Sequence, residues 1–155
     1  MSFRIHALPA NDFQYLSTLS EAELFARLIR RMVADKRPGF PCRVSLEDAR
    51  PGETVFLLNY VHQPADSPFR ASHAIYVREG VPTAAPAPGE VPDMIRNRLI
   101  SLRAFDDEGM LTAADVADGA DVPAAIETMF ANPDVACIHL HFAKQGCYAA
   151  RVDRV

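Results

Sequence analysis

The chain has 155 residues, 49% of them hydrophobic and 23% charged, with a formal net charge of -4. That is the balance of a soluble globular protein with one core; it excludes wholesale disorder and makes a single domain over residues 1–155 the expectation. The acidic balance provides no general field for polyphosphate, so nucleic acid is not an expected partner.

The chain opens on MSFRIHALPAND, which carries an Arg and a His and lacks the sustained apolar run of a secretory signal. Phe3 to Leu8 alternates as a short strand, which Pro9, Asn11 and Asp12 break. Ser20 and Glu23 then form a capping box, Leu19 and Leu24 are placed as a hydrophobic staple, and Leu24, Phe25, Leu28, Ile29, Met32 and Val33 recur at helical spacing. This pattern predicts an amphipathic helix over residues 20–35, with Arg27, Arg30 and Arg31 on its solvated face. Pro38, Gly39 and Pro41 stop it. Cys42 to Leu46 reads as a short strand, followed by a turn at Arg50-Pro51-Gly52-Glu53.

Thr54 to His62 is the strongest strand signal, apolar on both faces at first and therefore expected at the centre of a sheet. His73 to Glu79 makes the next strand, after which GVPTAAPAPGEVP is an extended, proline-rich surface loop. Asp93 to Arg98 fits helix or extended chain. Leu99 to Phe105 and Met110 to Val116 flank an Asp106-Asp107-Glu108-Gly109 turn as a hairpin, and residues 123–131 form a second helix with Ile126, Met129 and Phe130 facing inward. A last hairpin closes the chain. With Lys144-Gln145-Gly146 as its loop, Ile138, Leu140 and Phe142 pair with Val152, Ala150 and Tyr148, and the other face sets Cys137, His139 and His141 against Asp153, Arg151 and Ala149. The order of elements predicts an α+β fold, a single domain with a largely antiparallel sheet and two main helices. No stretch approaches the roughly 20 apolar residues of a membrane helix, so no membrane partner is expected.

His139 and His141 lie two apart on a strand and project from one face, as a metal pair requires, and His62 and His73 are candidates to join them. Arg151 opposite His139 opposes a bound dication. The alternative for these histidines is hydrogen bonding on a half-exposed sheet face, with no cofactor. Cys42 sits beside Arg43, which favours a thiolate, yet no helix amino terminus or protease signature accompanies it. Cys42, Cys137 and Cys147 are odd in number without CxxC spacing, which predicts reduced thiols and a cytoplasmic location. Arg43, Arg70, Arg98, Arg103 and Arg151 fall in or beside strands or the loop from Gln63 to Ser72; guanidinium forks there suit either internal carboxylates or an anionic ligand. Tyr60 and Tyr76 are candidates to line such a pocket or to pack in the core.

The stretch PCRVSLEDARPGETVFLLNYVHQPADSPFRASHAIYVREG, with the closing HLHFAKQGCYAARVDR, resembles a bacterial family of uncharacterised proteins, domain-of-unknown-function family 1203 (DUF1203). The resemblance implies a small stand-alone bacterial protein and brings no activity or catalytic residue with it. The reading that follows is a small anionic-metabolite binding module with a cleft bordered by Cys42, Arg43, His62, Arg70 and His73. Two alternatives stand beside it: a metal-dependent enzyme using His139 and His141 with another histidine, and a homodimeric interaction protein.

Overall fold

The computed structural model describes residues 2–155. In chain order the elements are β1 (Phe3–His6), α1 (Glu21–Ala26), β2 (Arg30–Val33), β3 (Thr54–Gln63), β4 (Ala71–Arg78), α2 (Asp93–Arg96), β5 (Leu99–Phe105), β6 (Leu111–Asp118), α3 (Val122–Phe130), β7 (Cys137–Phe142) and β8 (Tyr148–Arg154). They build a five-stranded sheet in the order β1-β8-β7-β5-β6 and a three-stranded sheet in the order β2-β3-β4, every named pair antiparallel. This is the α+β class that the element order predicts. Among the described residues no helix is long and apolar enough to cross a membrane.

Period-2 alternation divides the large sheet into two unlike faces. Ile100, Leu102 and Ala104 of β5, with Ile138, Leu140 and Phe142 of β7, form one core with Met94 and Ile95 of α2 and with Val122, Ile126, Met129 and Phe130 of α3. Each large apolar side chain sealed here contributes roughly 1.5–3 kcal/mol of transfer free energy. The residues between them, Cys137, His139 and His141 on β7, take the opposite face. A second core joins Leu24 and Ile29 to Phe56, Leu58, Ile75 and Val77 of the small sheet, and Tyr148 of β8 enters it from the large sheet.

Three local expectations are corrected. The capping box is present, with the Ser20 hydroxyl accepting from Glu23 N–H and the Glu23 carboxylate accepting from Ser20 N–H, but the helix it starts ends at Ala26. Leu28 takes a left-handed φ of 60°, and the N–H groups of Ile29 and Leu28 donate to the carbonyls of Leu24 and Phe25. That is a Schellman closure with a leucine in the place usually held by glycine, tied by the buried Leu24 and Ile29. The next residues become β2 because the free edge of β3 accepts them, and Phe25 and Leu28 are left 66% and 77% exposed, not in the core. Cys42 to Leu46 is a turn and no strand, since Leu46 has φ 53° and its N–H donates to the Cys42 carbonyl. In the last hairpin Leu140 pairs with Ala150 as expected, but His141 pairs with Tyr148, which leaves Ala149 as an extra residue and carries Tyr148 to the histidine face.

Candidate metal centre

Two β-bulges aim the side chains of this site. On β3, Val61 pairs with Ser72 and Gln63 with Ala71, so His62 has no residue opposite it. Consecutive His62 and Gln63 are both buried where strict alternation would expose one of them. The bulge turns His62 toward the large sheet, and the bulge on β8 turns Tyr148 toward His62. Their rings lie 4.9 Å apart between centroids at 9° and stack in parallel. His73 of β4, cross-strand from Tyr60, completes the small sheet's share.

His139 and His141 arrive from β7 on the same face, 2% and 0% exposed, and His62 is 8% exposed. The Nδ1 atoms of His62 and His139 are 3.4 Å apart. That is long for a hydrogen bond, yet two nitrogens bound to one tetrahedral ion at about 2.0–2.1 Å lie about 3.3–3.4 Å from each other. One ring nitrogen from each of His62, His139 and His141 falls within 4.8 Å of the others. The Nδ1 of His141 is 3.0 Å from the Gly146 carbonyl, which can only accept, so Nδ1 carries the proton and Nε2 is a bare acceptor. That Nε2 is buried and has no hydrogen-bond partner. His62 Nε2 lies 2.6 Å from His73 Nδ1, with the rings 17° from coplanar. An in-plane N–H donated by His62 to His73 leaves His62 Nδ1 free to face His139. Both arrangements, His141 on a carbonyl and His62 on a neighbouring ring, are how ligating imidazoles are held in one tautomer.

Electrostatics keeps these rings neutral, the form that binds metal. Burial pushes His62 down to about 3, and the nearby His141, His139, His73 and Arg103 act in the same direction. His141 is pushed down to about 3, first by burial and then by Arg103 and its fellow histidines, against a raising contribution from its Gly146 bond. Burial and Arg151 bring His139 to about 4. His73 is lowered as well, by burial and then by Arg103 and Arg43.

An aromatic wall closes one side: Phe69 meets Phe105 edge-on at 6.4 Å, and Phe105 meets His139 at 5.0 Å. The loop bearing Phe69 is anchored where Ser67 donates to the Gly109 carbonyl at 2.9 Å. A Cβ at Gly109 would lie 2.4 Å from the Ala65 Cβ, so only glycine lets this loop seat on the β5–β6 turn. The larger surface clefts lie elsewhere: one of about 650 Å³ is lined by Asp48, Met94 and Arg98, and one of about 570 Å³ by Asp106, Pro133 and Arg154.

Of the residues expected to border a ligand cleft, the structure brings His62 and His73 together and joins them to His139 and His141. Cys42 lies apart and fully buried, its sulfur accepting from Ser45 N–H and Arg78 N–H. Arg43 is 1% exposed and is used internally: Nε donates to the Tyr148 carbonyl at 2.8 Å, Nη1 to the Pro41 carbonyl at 2.7 Å, and Nη2 to the Cys147 sulfur at 3.1 Å. Arg70 is exposed at the loop surface, bonded to the Pro64 carbonyl and near Asp66. Arg151, cross-strand from His139, is paired with Asp153 at 2.9 Å. Tyr60 packs at the second core and Tyr76 at the edge of a third, small cluster. Tyr148 is the site residue that sequence reasoning missed; no glycine or proline marks the bulge that redirects it.

No curated protein and no solved structure matches this chain. A match to the family described as "Protein of unknown function (DUF1203)" covers residues 39–154, a span that holds both bulges and all four clustered histidines. The chain belongs to that family.

Proposed function

We propose that this protein is a metal-dependent enzyme whose single transition-metal ion is held by His62, His139 and His141. The reading is carried by the His141 Nε2 atom, a buried acceptor without a donor, facing a group of neutral imidazoles. Leaving such an atom unpaired costs about 1–3 kcal/mol, which an ion would offset directly. Three imidazoles without thiolate or carboxylate suit zinc, copper, iron or nickel, and zinc fits best because it accepts tetrahedral geometry without a redox role. Three protein ligands leave one position for water or substrate, where such an ion supplies a Lewis acid or an activated water. His73 acts behind His62, fixing its tautomer. The free state of Cys42, Cys137 and Cys147 supports a reducing cytoplasmic location for the protein.

Elemental analysis of protein purified without a histidine tag tests the assignment. About one equivalent of a transition metal per chain is expected, removable by chelation, restored by Zn²⁺ and lost in His141→Gln. Absence of metal as purified, together with no Zn²⁺ uptake in calorimetry, rejects it.

A further inference from the structure

We propose that Arg103 is the anion-holding residue of the histidine centre and that the ligand taken there is a small oxyanion, a carboxylate or phosphate group bridging the guanidinium and the ion. This rests on the metal reading above and names its substrate class.

The placement follows from strand register. Arg103 of β5 is directly cross-strand from His139, and Ser101 from His141, so Arg103 projects from the histidine face of the large sheet. Directly opposed side chains start about 4.5–5.5 Å apart at Cβ, well within a guanidinium's reach. On its other side Arg103 is opposite Ala114 of the edge strand β6, whose short, exposed side chain leaves room beside it. Four of the five arginines singled out in the sequence are engaged: Arg43 by two carbonyls and a sulfur, Arg70 by a carbonyl, Arg98 by both Asp48 oxygens and Arg151 by Asp153. Among the described residues Arg103, only partly buried, has no hydrogen-bond or ion-pair partner. Its charge is felt at all four histidines, as a lowering influence on each.

Charge balance identifies the ligand. The metal-ligating group contains three imidazoles and no carboxylate, and the nearby Asp153 is already held by Arg151 and His6. A dication on neutral ligands beside an unpaired guanidinium is a strongly positive site. A guanidinium fork matches a carboxylate or phosphate edge, and the same oxyanion has a second oxygen for the metal. Metal and anion should therefore bind cooperatively, each raising the other's affinity by the same factor.

Co²⁺-loaded protein, titrated with acetate and separately with inorganic phosphate, tests this through the visible absorption of the ion. Saturable spectral change is expected in at least one arm, and the arm that saturates tighter tells carboxylate from phosphate. Arg103→Gln should still take up one equivalent of Co²⁺ but bind the anion about tenfold or more weakly, with partial recovery in Arg103→Lys. Equal anion affinity in wild type and Arg103→Gln, or no response to either anion at full Co²⁺ occupancy, overturns the role of Arg103 alone. Failure of the wild type to bind Co²⁺ overturns the metal reading, and this one with it.

Discussion

Two buried polar groups, Arg43 and the histidine cluster, both meet Tyr148, one at its backbone carbonyl and the other at its ring, and are built on opposite principles. Arg43 is as deeply buried as His139, yet each of its nitrogens has a partner: Nε and both terminal nitrogens donate, two of them to backbone carbonyls. His141 is more deeply buried still and keeps one nitrogen with nothing to bond to. A buried cation partnered at every nitrogen ties chain segments together, here residue 41 to residue 148. An unsaturated buried acceptor has a cost that the fold retains, and such a group calls for an occupant. Burial is common to the two regions; the state of their hydrogen bonds is what separates them.

Acidification should strain this contrast most, since only one of the two regions holds groups that titrate near neutrality once the chain unfolds. In an unfolded chain each histidine gains a proton below about 6.5. In the folded protein His62 and His141 stay neutral to about 3 and His139 to about 4. The unfolded state binds more protons across that window, so stability present above pH 6.5 falls as pH drops and levels off only near the folded values. Each imidazole contributes a slope of up to ~1.4 kcal/mol per pH unit. Urea midpoints of chelator-treated protein should fall steadily from pH 6.5 to 5, where carboxylates contribute little. A flat profile there contradicts the burial of neutral imidazoles.

Arg43→Met comes next in size. It removes the donor from two buried carbonyls and a sulfur, and a loss of about 3 kcal/mol or more is expected in chemical denaturation. Whatever folded fraction remains should keep its metal stoichiometry. A loss under about 1 kcal/mol would mean that Arg43 is not the tie its bonds indicate.

Much of the frame is legible in the sequence, and the reasons for the failures are physical. The strand from Thr54, the hairpin around Asp106–Gly109 and the inward face of the helix at residues 123–131 all follow from alternation, turn chemistry and period. The first helix is legible at its start, because a capping box is local, and illegible at its end, because a leucine in the left-handed region leaves no compositional trace. In the site, His139 and His141 share a face by period alone. That His62 joins them depends on a bulge that shifts one residue, and that Arg43 is consumed depends on a carbonyl 105 positions away in the chain. Neither signal is local, so neither can be read from spacing.

Within the cluster, substitutions should move metal affinity more than stability. His141→Gln should lower Zn²⁺ affinity on the order of 100-fold or more while changing the stability of the metal-free protein by under about 1 kcal/mol, the reverse of Arg43→Met. If His141→Gln instead unfolds the protein and leaves metal affinity in the folded fraction intact, the imidazole is structural.

His73→Phe is the smallest and most discriminating change. His73 contributes no member of the group of three candidate ligating nitrogens; its Nδ1 lies 2.6 Å from His62 Nε2, and in the metal-bound form it would accept a hydrogen bond from that N–H. Phenylalanine preserves the aromatic neighbour but offers no acceptor, so His62 loses the bond that fixes its tautomer while the three candidate ligands remain. A supporting residue of this kind is worth about 10–100-fold in metal affinity, and the lower end is expected because His73 is partly exposed and water can replace part of the bond. Competition with a chromogenic chelator reads that shift without reference to any activity. Unchanged affinity would detach His73 from the centre, and loss of all binding would make it a ligand in place of one of the three.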